Sequence, residues 1–192
     1  MPPATKGSTT AVVLIGHGAP ATDCPPQLIG ELMALEWRGS QPSDGHHRLP
    51  APSAARQAGP QGRAAELDAK IRAWPRHDGN DPYKAGLERL AAALRPLLPT
   101  KLFAIGYNEF CRPTIAEAID EVIRQGAARV VVLPTMLTPG GVHSERDIPR
   151  ALDDVRRAHP GVAIEYLWPF DLHAVAELLA SHIKRAPHLP EP

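Results

Sequence analysis

Short apolar runs alternate along the chain with longer segments that have helical periodicity. Residues 11–15 are continuously apolar and stop at Gly16, a pattern typical of a strand that is buried on both faces. Similar runs predict strands over residues 101–106, 129–133 and 162–167. Because helix-forming segments separate the predicted strands, neighbouring strands are expected to be parallel and joined by crossovers.

The segments between the strands carry their own helix signals. Leu28, Leu32 and Leu35 recur at helical spacing after a pair of prolines, and Asp81 is a helix cap followed by Pro82. Helices are predicted over residues 25–37, 82–94, 113–125, 147–158 and 171–184. The pattern therefore predicts an α/β fold, a parallel four-stranded sheet with helices on both faces. In such sheets ligands bind beyond the carboxyl ends of the strands.

One stretch interrupts the alternation. Residues 38–81 are rich in Gly, Pro, Ser, Gln, Arg and His, and only residues 64–74 have the pattern of a short helix. Proline makes up 22 of the 192 residues and is concentrated here and near both termini. The length fits one domain. We therefore expect a single domain over residues 1–192, with a flexible insertion at residues 38–81 and disordered termini.

Charge and cysteine content exclude several classes of function. The chain has 21 basic and 21 acidic residues, so it lacks a net field that would attract nucleic acid or an anionic membrane. Its two cysteines lack the spacing of a zinc or redox motif, and no segment has the apolarity of a signal peptide or a membrane span. We expect a cytoplasmic protein that binds neither nucleic acid nor membrane.

Three chemically active side chains fall in loops after predicted strands. His17 lies between two glycines after the first strand, Glu109 follows the second, and His143 follows the third. Two imidazoles and a carboxylate suit cobalt, iron, nickel or zinc. Each has a simpler alternative, since a loop histidine is commonly a solvated side chain and Glu109 could stabilise the start of the helix at Pro113. Their convergence at one sheet edge favours a metal site.

Other candidate ligands have weaker support. His46 and His47 lie in the 38–81 stretch, whose composition fits a mobile loop better than a metal site. Cys111 is close to Glu109 in sequence and could be a soft ligand, but a lone cysteine is more commonly a small packed residue. The same alternative holds for Cys24.

The residues around the three loop positions resemble those of a known family. Val-Leu-Ile-Gly-His-Gly around His17, Glu109 four residues before Pro113, and Val-Val-Val-Leu-Pro followed by Gly-Val-His143 and Asp-Ile-Pro resemble the small CbiX-type sirohydrochlorin cobaltochelatases. These enzymes belong to the chelatase superfamily, which includes ferrochelatase. The resemblance covers residues 11–37 and 82–184, and its third motif is the most specific. Arg112, where family members commonly carry an acidic residue, departs from the pattern, and residues 38–81 look foreign to it.

The resemblance implies an α/β chelatase that inserts Co²⁺, Fe²⁺ or Ni²⁺ into a tetrapyrrole such as sirohydrochlorin. By this resemblance His17, His143 and Glu109 are metal ligands and proton acceptors. The ion is a substrate, and no organic cofactor is expected. Arg112 and Arg146 are placed to pair with carboxylates of the macrocycle, although solvated charge is the simpler alternative for both.

Two further expectations follow from the resemblance. A single half-size domain implies a homodimer, because larger relatives carry two such halves in one chain. A different tetrapyrrole also stays open, because the wider superfamily handles other macrocycles on a similar fold. The alternative function is a non-catalytic metal- or tetrapyrrole-binding protein of the same fold.

Overall fold

The computed structural model describes residues 9–40 and 60–186, which fall into two compact units. The first unit contains the chain up to His17, Ala93–Asn108 and the chain from Pro113 onward. The second unit contains Gly18–Ala92 and Glu109–Arg112. The predictions made for the two termini, for residues 41–59 and for the His46–His47 pair lie outside the described residues.

The first unit is built on a parallel sheet. Its strands are β1 Thr10–Gly16, β2 Phe103–Tyr107, β3 Arg129–Pro134 and β4 Ala163–Tyr166. They lie in the order β2-β1-β3-β4, and every neighbouring pair is parallel. The fold class predicted from the sequence, an α/β fold on a four-stranded parallel sheet, is confirmed. Each predicted strand lies within two residues of its expected position.

The described part of the chain contains six α-helices. They are α1 Pro26–Ser40, α2 Pro60–Arg72, α3 Pro82–Leu94, α4 Ile115–Arg124, α5 Ile148–Ala158 and α6 Leu172–Ile183. A 3-10 turn, Arg95–Leu97, follows α3, and one turn of π-helix, His143–Asp147, precedes α5. Within residues 9–40 and 60–186, no helix has the length and apolarity needed to cross a bilayer.

Helices α4 and α5 cover one face of the sheet. Ala11, Val13 and Ile15 of β1 are fully buried on this face, while Val12 and Leu14 are buried on the other. The buried side chains of α4 recur at helical spacing: Ile115, Ala118, Ile119 and Val122. Burial of each large apolar side chain stabilises the fold by roughly 2 kcal/mol. Burial of both faces of β1 explains its continuous apolar sequence. Because β1 is a central strand, its carboxyl end lies in the middle of the sheet.

The second unit has a core of its own. Leu32 of α1 lies in one buried cluster with Leu67 and Ile71 of α2. The single domain expected over residues 1–192 stays a prediction. Within the insertion expected at residues 38–81, residues 60–81 form α2 and the segment leading into α3. The physical reason is the four-residue spacing of Leu67 and Ile71, which gives a polar segment one apolar stripe.

Candidate metal centre

Two of the predicted site residues follow the two central strands. His17 comes directly after β1, and His143 opens the π-helical turn that follows β3. The register pairs Ile15 with Pro134, so the carboxyl ends of these strands lie side by side. From β1 the chain continues to β2 on one side, and from β3 it continues to β4 on the other. This is the switch point at which open α/β sheets bind ligands.

The two imidazoles are in direct contact. The ring centroids of His17 and His143 lie 4.6 Å apart at an interplanar angle of 84°. A ring nitrogen of each lies within 4.8 Å of the other, which is close enough for both to reach one ion. Both side chains are partly exposed, so an ion has access to them. The convergence expected from the sequence is therefore present for the two histidines.

The Nδ1 atom of His143 has two polar neighbours. Asp147 Oδ2 lies 2.9 Å from it, and the Asn108 side-chain amide lies 3.0 Å from it. A carboxylate can only accept, so the contact with Asp147 places a proton on Nδ1. In this tautomer the ring lone pair is on Nε2, and a neutral imidazole can bind a metal ion through that atom.

The π-helical turn is held in place from several sides. Gly140 takes a left-handed conformation with φ of 94°, and its N–H donates to Glu145 Oε1 at 2.5 Å. The Ser144 hydroxyl donates to the Gly141 carbonyl at 3.2 Å. The Tyr166 hydroxyl, at the end of β4, donates to the Ser144 carbonyl at 2.9 Å. These contacts fix the backbone next to His143, and π-helical turns are frequent at functional sites.

Glu109 belongs to the second unit, in a loop whose ends are fixed. In the first unit, the Tyr107 N–H donates to the Pro113 carbonyl at 2.9 Å, which closes the loop across its base. In the second unit, the Glu109 carbonyl packs so tightly on Gly18 that a Cβ there would lie 1.9 Å from its oxygen. Since Gly18 follows His17 in the chain, the backbone of Glu109 lies against the residue next to one of the histidines.

The two arginines expected at the site are both exposed. Arg112 ends the loop that carries Glu109. Arg146 is 62% exposed, and its Nε donates to Asp147 Oδ1 at 3.1 Å. Asp147 therefore contacts the His143 ring through one oxygen and the Arg146 guanidinium through the other. Pairing of these arginines with a carboxylate substrate stays a prediction.

Both cysteines are buried free thiols. Burial is the main cause that raises the pKa of Cys24 and of Cys111 above the ordinary value. The Cys111 Sγ donates to the Ala19 carbonyl at 3.4 Å inside the second unit. Since a protonated thiol is a poor metal ligand, these features favour packing over a ligand role.

Sequence reasoning missed the residues that orient His143. In the sequence, Asp147 stands out only as part of a motif and a helix start, although its spacing of four from His143 places both on one helical face. Asn108 and Tyr166 carry no comparable local signal. Their contacts with the His143 turn arise from strands that are far apart in sequence.

These observations define an α/β protein with a histidine-lined site at the switch point of its sheet. A family model named CbiX matches residues 79–186, which is more than half of the chain. The chain belongs to the CbiX family.

Curated relatives agree with this assignment. A sirohydrochlorin cobaltochelatase from Priestia megaterium is 32% identical over 111 residues, which are 57% of this chain and 36% of that protein. One from Methanocaldococcus jannaschii is 38% identical over 84 residues, which are 43% of this chain and 58% of that protein. The matches thus span about a third to three fifths of these relatives' own length.

Solved structures of similar proteins are more distant. The sirohydrochlorin chelatase SirB from Bacillus subtilis subspecies spizizenii, in complex with cobalt, matches 93% of this chain and 51% of its own, with 16% identity and a TM-score of 0.49. A CbiX protein from Marinobacter aquaeolei VT8 matches 92% of this chain and 99% of its own, with 16% identity and a TM-score of 0.48.

Proposed function

We propose that the protein is a chelatase that inserts a divalent metal ion into a tetrapyrrole. The observation that carries this proposal is the pair of imidazoles, His17 and His143, in contact at the switch point of a CbiX-family sheet. The two curated relatives are sirohydrochlorin cobaltochelatases, so sirohydrochlorin and Co²⁺ are the first pair of substrates to test. Fe²⁺ and Ni²⁺ are the other ions in the proposal.

The reaction requires the groups that the site supplies. Entry of a divalent ion into the macrocycle releases two pyrrole protons, so ion and proton acceptors are both needed. A neutral imidazole can bind the ion through one nitrogen or accept a proton there. Asp147 Oδ2 lies 2.9 Å from Nδ1 of His143 and fixes the orientation of the ring. The ring is thereby prepared for either role.

We assign Glu109 as a third ligand or proton acceptor in this proposal. Its support is the position of the Glu109 backbone against Gly18 and its place in the chain directly after Asn108, whose amide contacts His143. A carboxylate completes a donor set that suits divalent cobalt, iron or nickel.

Three finer assignments complete the proposal. Arg112 and Arg146 are exposed cations suited to pair with the carboxylates of a tetrapyrrole. A homodimer is proposed, with the exposed leucines of α6 as an apolar surface that a second copy could cover. A cytoplasmic location is proposed, and the two free thiols are compatible with a reducing compartment.

Anaerobic absorption spectroscopy tests the proposed activity. Sirohydrochlorin and Co²⁺ are mixed with wild-type protein, with His143→Ala, and with His159→Ala as the control. His159 follows α5 at the opposite edge of the sheet and pairs with Asp120. We expect wild type and His159→Ala to accelerate insertion equally, and His143→Ala to be slower by about a hundredfold.

The outcomes separate the two functions. Absence of acceleration by wild type for sirohydrochlorin and porphyrins with Co²⁺, Fe²⁺ and Ni²⁺ would contradict a chelatase. Tight binding of the macrocycle without turnover would instead support the non-catalytic binding protein. Equal rates for His143→Ala and wild type would remove His143 from the site.

A further inference from the structure

A buried ion pair lies between α2 and α3 in the second unit. Arg76 and Asp81 contact each other directly, and their side chains are only 8% and 1% exposed. Asp81 Oδ1 also accepts a hydrogen bond from the Lys84 N–H at 2.9 Å, which caps the first turn of α3. The carboxylate is therefore fixed by a helix terminus and in turn fixes the guanidinium.

The Arg76 guanidinium spans two loops. Its Nη1 donates to the Ala19 carbonyl at 2.8 Å, and its Nη2 donates to the Phe110 carbonyl at 2.5 Å. Phe110 directly follows Glu109, and Ala19 lies two residues after His17. One planar group thus ties together the segments next to two of the proposed ligands.

The loop held by Arg76 has a conformation that needs support. Phe110 has φ of 55°, the left-handed region that is unfavourable for a bulky side chain. The Cys111 N–H donates to the Glu109 carbonyl at 2.6 Å, so the chain turns sharply at this point. Arg72, four residues before Arg76 and at the end of α2, donates from Nη1 to the Cys111 carbonyl at 2.8 Å. Two arginines therefore hold consecutive carbonyls of the turn after Glu109.

Stability alone is a weak explanation for this arrangement. The attraction between two buried charges barely offsets the free energy that is lost when they leave water. Apolar replacements are therefore often as stable. The planar fork of an arginine is well suited to donating to several acceptors in fixed directions. The choice of residue is better explained by the geometry of the loop.

We propose that Arg76, anchored by Asp81, is a positioning residue that fixes the Glu109 loop for metal handling. This inference rests on the proposed function of the site. The role is structural preorganisation of a ligand, since in the described part of the chain Arg76 contacts the carbonyls beside the ligands and not a ligand side chain. Arg76 and Asp81 both lie within residues 38–81, so the proposal also gives a role to part of the stretch whose composition resembles an insertion.

The test compares Arg76→Lys with Arg63→Lys. Lysine at position 76 keeps the charge opposite Asp81 but loses the fork that reaches both carbonyls. Arg63 lies on α2 and forms an exposed pair with Glu31, so the same substitution there leaves the loop untouched. Thermal unfolding of both variants first establishes that they fold.

Hydrogen exchange and Co²⁺ binding are then measured on the protein alone. We expect the amides of residues 109–112 in Arg76→Lys to exchange about tenfold faster, and the Co²⁺ dissociation constant to rise about tenfold. In a Glu109→Gln background, adding Arg76→Lys should change the Co²⁺ dissociation constant less than about twofold, because its effect passes through Glu109. Arg63→Lys should match wild type.

Each result has a distinct meaning. If Arg76→Lys leaves loop exchange unchanged, or weakens Co²⁺ binding equally with and without Glu109, Arg76 does not position that ligand. If wild type neither binds Co²⁺ nor inserts it while Arg76→Lys still loosens the loop, the proposed function fails and the loop contact stands. Asp81→Asn is the second variant, and if neither it nor Arg76→Lys folds, the pair is a core support and the positioning role is overturned.

Discussion

Among the glycines that the structure describes, Gly18 is the one at which an added Cβ would lie closest to another atom. It has φ of 91°, a left-handed conformation, and a Cβ at this position would lie 1.9 Å from the Glu109 carbonyl oxygen. Either feature alone favours glycine, and together they leave no room for another residue. Close packing on Glu109 therefore explains why a glycine follows His17.

Replacement of Gly18 by alanine should destabilise the protein. We expect a loss of about 2 kcal/mol or more, because the new Cβ strains the backbone and displaces the Glu109 carbonyl. Urea unfolding measures the change. Gly30→Ala is the control, since Gly30 lies exposed within α1 with nothing within 4 Å of an added Cβ, and there we expect a gain of about 0.5–1 kcal/mol. Equal effects of the two substitutions would contradict the close contact at Gly18.

At the scale of elements, the π-helical turn is the part of the structure that aims His143. It places His143 and Asp147 together and is tied to the end of β4 by the Tyr166 hydroxyl. Burial raises the pKa of Tyr166 to about 12, so the phenol stays protonated at neutral pH and can donate to the Ser144 carbonyl. The last strand thereby helps to position a loop that follows the third.

Tyr166→Phe tests this contact through both stability and pH. The variant should lose about 1 kcal/mol at neutral pH, the contribution of one hydrogen bond. In wild type the unfolded phenol ionises near pH 10, while the folded phenol holds its proton up to about pH 12. The contribution is therefore fully present below pH 10 and is lost as the pH rises from about 10 to about 12.

Ultraviolet absorbance of tyrosinate follows the ionisation directly. Wild type should show a component with a midpoint near pH 12 that is missing in Tyr166→Phe and retained in the control Tyr83→Phe. If the component lost from Tyr166→Phe instead titrates near pH 10, the phenol is not shielded as the structure indicates.

The elements of the first unit were predictable because their signals are local. Residues 11–15 lie in the centre of the sheet and read as continuously apolar. In the second unit, Asp81 caps α3 as its position before Pro82 predicts, but the packing of α2 was not predictable in the same way. Average composition over residues 38–81 conceals Leu67 and Ile71, whose burial depends on a partner helix distant in sequence.

At the scale of the whole molecule, the residues of the candidate site also fall into two groups. Some have a local signal in the sequence, and others do not. Position after strand ends selects His17, Glu109 and His143 as candidate ligands, because parallel strands bring their carboxyl ends to one edge. The groups that orient them were not selected, since Arg76 and Tyr166 act through contacts that only the folded chain creates. The candidate ligands therefore have a sequence signature here, while the residues proposed to position them do not.

The most direct test of the metal centre is anomalous diffraction at the cobalt edge from crystals of the protein grown with Co²⁺. We predict one strong peak at the carboxyl ends of β1 and β3, about 2.1 Å from a ring nitrogen of His17 and of His143. A strong peak at another histidine, such as His159 or His182, with none between His17 and His143 would contradict the assignment.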